Sequence, residues 1–418
     1  MDDPKLVRPL RKISASIAVA AASLLIAISR RTDAITNPQF WAEDGRNWFA
    51  DAYNIGGWVP FLTPEAGYLQ TFSRLIGAVS VWFPFGSVPL FFNLSAIAVQ
   101  VVVAVYICSD RLAGVFEHRR ARIALAFLYL AMPHSWEVHA NVTNAQWNLA
   151  LLALLIVVSR PAESLIGRVF DVGVLAVSSL SGPFALILLP VAVLRFIVER
   201  DRKLTVPIAV LLLGGAIQAA SLLTSVRPVQ QDLGVGLDPF VKIIARHIIL
   251  GPFFGENGFQ WLLSHIRWNT VTAALITLIG SCVALYLARK ARFGVAALLI
   301  FAALIVGSAL VSPAVSAEPG QWRAMADSAT AIRYWFFPSF AIYALLICAY
   351  FSVADKKRRY VSGALLALVS VGVVLDWREP PFDDLSFASH AEAFENARPG
   401  EDVTIPINPN WKMVIRKK

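Results

Sequence analysis

The residues best suited to do chemistry lie between Thr36 and Arg74, the one long polar stretch in the apolar N-terminal half of the chain. Glu43, Asp44 and Asp51 sit there among Phe40, Trp41, Trp48, Phe49 and Tyr53. A carboxylate placed beside an acceptor hydroxyl can take its proton as the oxygen attacks, which is general-base chemistry. Asn37 is a good helix N-cap and Pro38 suits the first helical position, so a helix is expected from about Pro38 to Tyr53, ending at Asn54-Ile55-Gly56-Gly57. On that helix Asp44, Asn47 and Asp51 share a face, making Asp44 the first choice as base, with Asn47 and Asp51 to orient it. Glu43 points about 100° away and is the alternative. Trp41, Trp48 and Phe49 suit a helix at a membrane–water boundary. The competing reading is a solvated loop whose acids cap helices or pair with Arg46.

Composition fixes the setting. Of 418 residues 57% are hydrophobic and 16% charged, against about 45–50% and 25% in soluble domains, so an integral membrane protein is expected. The net charge of +9 does not point to nucleic acid, because the cations form short clusters between apolar runs. Cys108, Cys282 and Cys348 lie in apolar stretches without metal-ligand spacing or a disulfide framework.

About eleven spans are expected in an all-α polytopic chain. They are Ile13–Ile28, Val88–Ser109, Ala121–Met132, Ala145–Val158, Val172–Leu180, Phe184–Val198, Leu204–Leu223, Val271–Ala288, Phe293–Val311, Trp335–Val353 and Val361–Leu375. Lys5, Arg8, Arg11 and Lys12 precede the first span and Arg30-Arg31 follows it, so it reads as an uncleaved anchor. Gly67–Phe83, carrying Gln70 and Arg74, is short for a span and reads as a helix along the surface. With it left out, 21 of the 37 Lys and Arg fall on one side, the cytoplasmic one by the positive-inside rule. The N-terminus is then inside and the C-terminus outside a plasma membrane. Residues 1–375 form the membrane domain, with its first outer loop at 30–87. Residues 376–418 form a small outer segment with a helix at Ser386–Ala397 and extended stretches at Val403–Pro409 and Trp411–Arg416. That segment is too short for its own core and is expected to pack on the outer loops.

The other outer polar residues are Pro133–Asn144, a non-helical turn at membrane level, Arg246 in the loop 224–268, and Arg323, Arg333 and Tyr334 before the tenth span. Backbone of that kind is tolerated where protein buries it or a wet cavity runs past it. His134 and His139 are expected to form hydrogen bonds rather than ligate a metal, there being no HExxH spacing. Arg333 suits either headgroup anchoring or phosphate binding.

Phe40-Trp41-Ala42-Glu43-Asp44-Gly45, the Gly67-Tyr68 to Arg74 helix and, more loosely, Arg333-Tyr334 stand in an order of parts that resembles the C-type integral-membrane glycosyltransferases. Those enzymes take sugars from polyprenyl-phosphate donors on the outer face. The acids here are adjacent rather than separated by one residue, and the sequon-reading motif of the oligosaccharyltransferases is absent. The resemblance implies an inverting transfer to a cell-envelope glycan or lipid acceptor, with Glu43 and Asp44 at the catalytic carboxylate position. Independently of it, a substrate site is expected with Asp51, Arg74, His134, Asn144, Arg246, Arg323, Arg333 and Tyr334, the outer arginines to meet the donor phosphate and the turn His134–Asn144 to floor the cavity. No cofactor is certain, and a divalent cation, Mg or Mn, is compatible. Membrane lipids are the expected surroundings and nucleic acid is not an expected partner. The rival expectation is a transporter or flippase of lipid-linked glycans, which would place ionisable groups or broken helices at the bilayer midplane. A non-catalytic scaffold is the third.

Overall fold

A computed structural model describes residues 4–225, 232–315, 320–352 and 355–418. The expected end of the tenth span at Val353 lies outside them, as do the side chains of Lys5, Arg8, Arg11 and Lys12. The described chain is a bundle of apolar helices with one two-stranded sheet. Each expected span coincides with a helix: Pro4–Arg30, Val88–Cys108, Arg119–Leu130, Ala145–Val158, Leu165–Ser179, Phe184–Glu199, Thr205–Thr224, Thr270–Ala288, Phe293–Val311, Phe336–Tyr350 and Lys356–Leu375. Seven of these segments are long and apolar enough to cross a membrane. The protein is therefore a multi-pass helical membrane protein.

The four helices between Arg119 and Glu199 are shorter, at 12, 14, 15 and 16 residues. At 1.5 Å per residue they run roughly 18–24 Å, less than the ~30 Å hydrocarbon layer. Burial explains why one of them can be short. Every residue of Ala145–Val158 is buried, and the turn Pro133–Asn144 above it is buried almost throughout. Protein rather than lipid surrounds that non-helical backbone.

The connections alternate between two ends of the bundle. At one end Arg111 forks onto Asp171 at 2.5 and 2.7 Å, Arg122 meets Asp110, Arg292 meets Glu117, and Arg289 meets Asp355. These pairs gather the loops at 109–118 and 289–292 and residue Asp355 into a basic end. At the opposite end lie residues 31–87, 131–144, 180–183, 232–269, 312–315, 320–331 and the C-terminal segment, joined by the contacts described below.

The first loop departs from the expected helix. Asn37 closes a short helix, Asp33–Thr36, and does not open one. Trp41 pairs with Asn408, with Ala42 N–H donating to Asn408 O at 2.6 Å and Asn408 N–H to Phe40 O at 3.2 Å, and the chain turns at Ala42, whose φ is 46°. The helix begins only at Asp44, with wide π-type turns to Phe49, and runs on to Asn54. Helix Thr71–Ser80 crosses it where Gly77 meets Trp48. A Cβ on Gly77 would stand 2.2 Å from the Trp48 carbonyl oxygen, so only glycine permits this approach.

Trp48 and Phe49 are buried, contrary to the interfacial role expected for them. They pack with Phe40, Phe85 and Phe92 against Phe387 and Phe394 of helix Phe387–Glu395 and against Ile405, Ile407, Met413 and Ile415 of the antiparallel hairpin Asp402–Ile407/Trp411–Arg416. Trp41 is stacked on Phe382 at 4.9 Å. The C-terminal segment shares this core with the first loop, which removes those rings from any lipid. The exposed rings among the described residues of the loop are Trp58, Trp82 and Phe83. Arg30 and Arg31 fasten the segment at its start. Arg30 pairs with Glu379 and donates to Trp377 O and Asp376 O, and Arg31 donates to Pro380 O and His139 O.

Candidate active site

Asp44 is fully buried. Its oxygens accept from Val142 N–H at 3.1 Å, Thr143 N–H at 2.7 Å and Thr143 Oγ1–H at 2.8 Å, and that hydroxyl accepts from Trp48 Nε1–H at 3.2 Å. The carboxyl thus pins the turn that precedes helix Ala145–Val158. Burial pushes it up to about 7, against the pull of its three donors, because the charged form loses its water. Asn47 and Asp51 do not orient it. The π-type turns send them elsewhere, Asn47 to Glu65 at 2.6 Å and Asp51 to Arg74 at 2.5 Å.

Glu43, the preceding residue, is partly exposed and enters no ion pair among the described residues. Burial raises its pKa first of all, the Glu65 carboxylate adds to the rise, and Arg333 opposes it. Around Glu43 stand Thr143, Glu65, Tyr68 and Arg333. Tyr68 is held by backbone pairing. Gln218 clamps Leu69 from helix Thr205–Thr224, Gly182 N–H donates to Leu69 O, and Phe72 N–H donates to Ser181 Oγ. Burial pushes the Tyr68 phenol up to about 12 beside Tyr334, Arg333 and Gln146. Arg333 pairs with Glu137 of the buried turn, donates to Ala314 O at 2.6 Å and covers the Tyr334 ring at 5.0 Å. Glu43 of the first loop, Tyr68 before helix Thr71–Ser80, and Arg333 with Tyr334 before helix Phe336–Tyr350 therefore converge from three separate elements.

The other expected site residues fall into separate groups. Arg74 is buried over Trp48 at 4.7 Å and pairs with Asp51, which secures helix Thr71–Ser80 to the first loop. Asn144 holds the turn, donating to Glu137 O at 2.9 Å. His134 and Arg246 belong to a second cluster behind the Trp335 ring, on which His247 stacks at 4.9 Å. There His247 Nε2 faces Met325 O at 2.7 Å, which fixes its proton on Nε2, so His247 Nδ1 accepts from His134 Nε2–H at 2.8 Å. His134 Nδ1 is left 3.6 Å from Glu256 Oε2, and both atoms are buried without a hydrogen-bond partner. Burial holds His134 down to about 4. Glu256 also receives Arg246 at 2.9 Å, and Asp376 caps the Glu256 and Asn257 N–H groups. Arg323 is exposed on the short helix Gln321–Asp327, beside Asp238 and away from the acids. His139 makes only hydrogen bonds, to Gln100 and Ala27 O.

Sequence reasoning missed Thr143, Glu65, Tyr68 and Glu137 as members of the site. Tyr68 and Glu65 adjoin the Gly67-Tyr68 motif, and Glu137 is the one acid in the membrane-level turn. For Thr143 no local signal exists, since its role is set by a residue about one hundred positions away. No group of three or more His, Cys, Asp or Glu side chains is gathered as metal ligands among the described residues. No protein-family model matches this chain, and no curated protein matches it.

Proposed function

We propose that the protein is a membrane glycosyltransferase that moves a sugar from a polyprenyl-phosphate donor to a glycan or lipid acceptor at the outer face of a plasma membrane. The observation that carries this reading is the pair of adjacent acids with raised pKa at the end away from the basic loops. One is locked into the fold, and the other faces outward beside an arginine. All eleven helices count as crossings in this reading, with the N-terminus in the cytoplasm and the C-terminal segment outside, as the positive-inside rule requires of the basic end.

Accessibility assigns the roles. Asp44 has both oxygens engaged and no free surface, so it positions the turn. Glu43 is the base: its carboxylate takes the proton of the acceptor hydroxyl as that oxygen attacks the anomeric carbon. The bond from that carbon to the donor phosphate breaks, and its electron pair leaves with the polyprenyl phosphate. Attack opposite the leaving group inverts the anomeric centre. Arg333, a quarter exposed, offers a guanidinium to the departing phosphate, with Tyr68 and Tyr334 as neighbouring hydroxyls. Glu137 balances its charge until the donor arrives.

The transporter reading draws less support. Among the described residues no Asp, Glu, Lys or Arg is near the middle of the seven long segments, and Asp171, midway along the shorter helix Leu165–Ser179, is paired with Arg111 of the basic end. The experiment is transfer of label by membranes containing the protein, offered a polyprenyl-phosphate sugar or the matching nucleotide sugar. Label passing to an outer acceptor from the first donor alone supports the proposal; transfer from neither donor overturns it.

A further inference from the structure

A cavity of about 400 Å3 opens at the basic end, far from the acids, and is lined by His118, Arg119, Arg120, Tyr350, Phe351 and Arg359. Helices Arg119–Leu130 and Lys356–Leu375 both begin at its wall, so two partly positive helix ends add to the side-chain charge. No acid stands in the wall. Nearby Arg111, Arg122, Arg289, Lys290 and Arg292 each meet a carboxylate, whereas the guanidiniums of Arg119, Arg120 and Arg359 enter no ion pair among the described residues and stand together in one concave wall. His118 lies against Phe351 at 5.5 Å and Arg359 over Tyr350 at 5.4 Å, giving the cavity an aromatic floor.

The surface leading away from it is apolar. Ile123 and Phe127 follow Arg119 at i+4 and i+8, on one helical stripe, and are 46% and 41% exposed. Cations at the end of a helix with exposed apolar residues running from them match an amphiphile with a charged head. We propose that this cavity binds the phosphate headgroup of an anionic membrane lipid, with its acyl chains along Ile123 and Phe127. Fixing the orientation of the chain requires cations near the helix ends but not a concave set free of acids. The proposal rests on the membrane setting and not on the transfer reaction, so the two can fail separately.

Native mass spectrometry of the full chain in detergent tests it, with phosphatidylglycerol, phosphatidylcholine of the same acyl chains, or inorganic phosphate added. One phosphatidylglycerol per chain should be retained, phosphatidylcholine should not, and inorganic phosphate should fail to displace the lipid. Removing guanidiniums should weaken retention about fivefold each, cumulatively in the triple variant Arg119→Gln/Arg120→Gln/Arg359→Gln. Lys357→Gln, at the same end but outside the wall, should retain the lipid as wild type does. Equal retention of both lipids, full retention by the triple variant, or equal loss in Lys357→Gln would overturn the site. Displacement by inorganic phosphate would mark a soluble phosphate ligand and overturn the lipid assignment. Gel filtration checks the fold of the triple variant, and the exposed single change Arg359→Gln carries the fivefold test if the triple variant aggregates.

Discussion

Thr143→Val isolates the contact that seats Asp44. Valine keeps the shape of threonine and deletes one hydroxyl, which donates to Asp44 at 2.8 Å and accepts from Trp48 Nε1 at 3.2 Å. A hydrogen bond to a charged group is worth about 1.5–3 kcal/mol, and an orphaned buried donor costs about 1–3 kcal/mol. The Val142 and Thr143 N–H groups remain on the carboxylate, and Asp44 can take up a proton, which limits the first loss. A net destabilisation of about 2–4 kcal/mol follows. It should depend on pH. Asp44 stands at about 7 in the fold against an ordinary 3.8, so its contribution to stability is complete below about pH 4 and is withdrawn as pH rises through 7. The hydroxyl serves the ionised form, so its loss raises that pKa further and the deficit is larger at about pH 8 than at about pH 6. The assay is the half-life of monodisperse protein in detergent at one temperature and two pH values. Thr143→Ser serves as the variant that keeps the hydroxyl, and Asp44→Asn should lack the wild-type slope. A half-life of Thr143→Val equal to wild type at the higher pH, or one equally short at both, would refute the reasoning.

Two further outcomes are expected. Arg333→Gln should weaken use of the prenyl-phosphate donor, since a charged hydrogen bond of roughly 1.5–3 kcal/mol is lost, and Arg333→Lys should restore only part of it because a point charge lacks the planar fork; unchanged donor kinetics in Arg333→Gln would remove Arg333 from the site. Reporters placed after Lys418 should lie outside and those at Arg119–Arg122 and Lys356–Arg359 inside, and a cytoplasmic C-terminus would break the alternation at the short helices Leu165–Ser179 and Phe184–Glu199.

The helices were the legible part of the fold, because apolar runs bounded by cations state both where a helix lies and which end it shares. The ion pairs Arg111–Asp171 and Arg292–Glu117 gather the basic loops as that pattern implied. The C-terminal hairpin was legible too, its strands marked by alternation at Ile405, Ile407, Met413 and Ile415. The start of the first-loop helix was not. Asn37-Pro38 is a good local signal, but the pairing of residues 40–42 with Asn408 overrides it, and no window of sequence contains both partners. The same long-range packing buried Trp48 and Phe49, whose local pattern resembles that of a membrane-lying helix. For the site, the acids and Arg333 could be found from their types and positions, whereas their division of labour could not. Which of two adjacent carboxylates is buried depends on the turn 142–143 folding over Asp44.

The central claim is that Glu43 is the base of a sugar transfer at the end away from the basic loops. The most direct measurement is the turnover of Glu43→Gln with a polyprenyl-phosphate sugar, at membrane levels matched to wild type. Glutamine keeps the shape of Glu43, and the wild-type residue enters no ion pair among the described residues, so the fold should be unaffected. The account predicts a loss of about 10²–10⁴ in turnover with donor binding retained. Transfer by Glu43→Gln at the wild-type rate would contradict it.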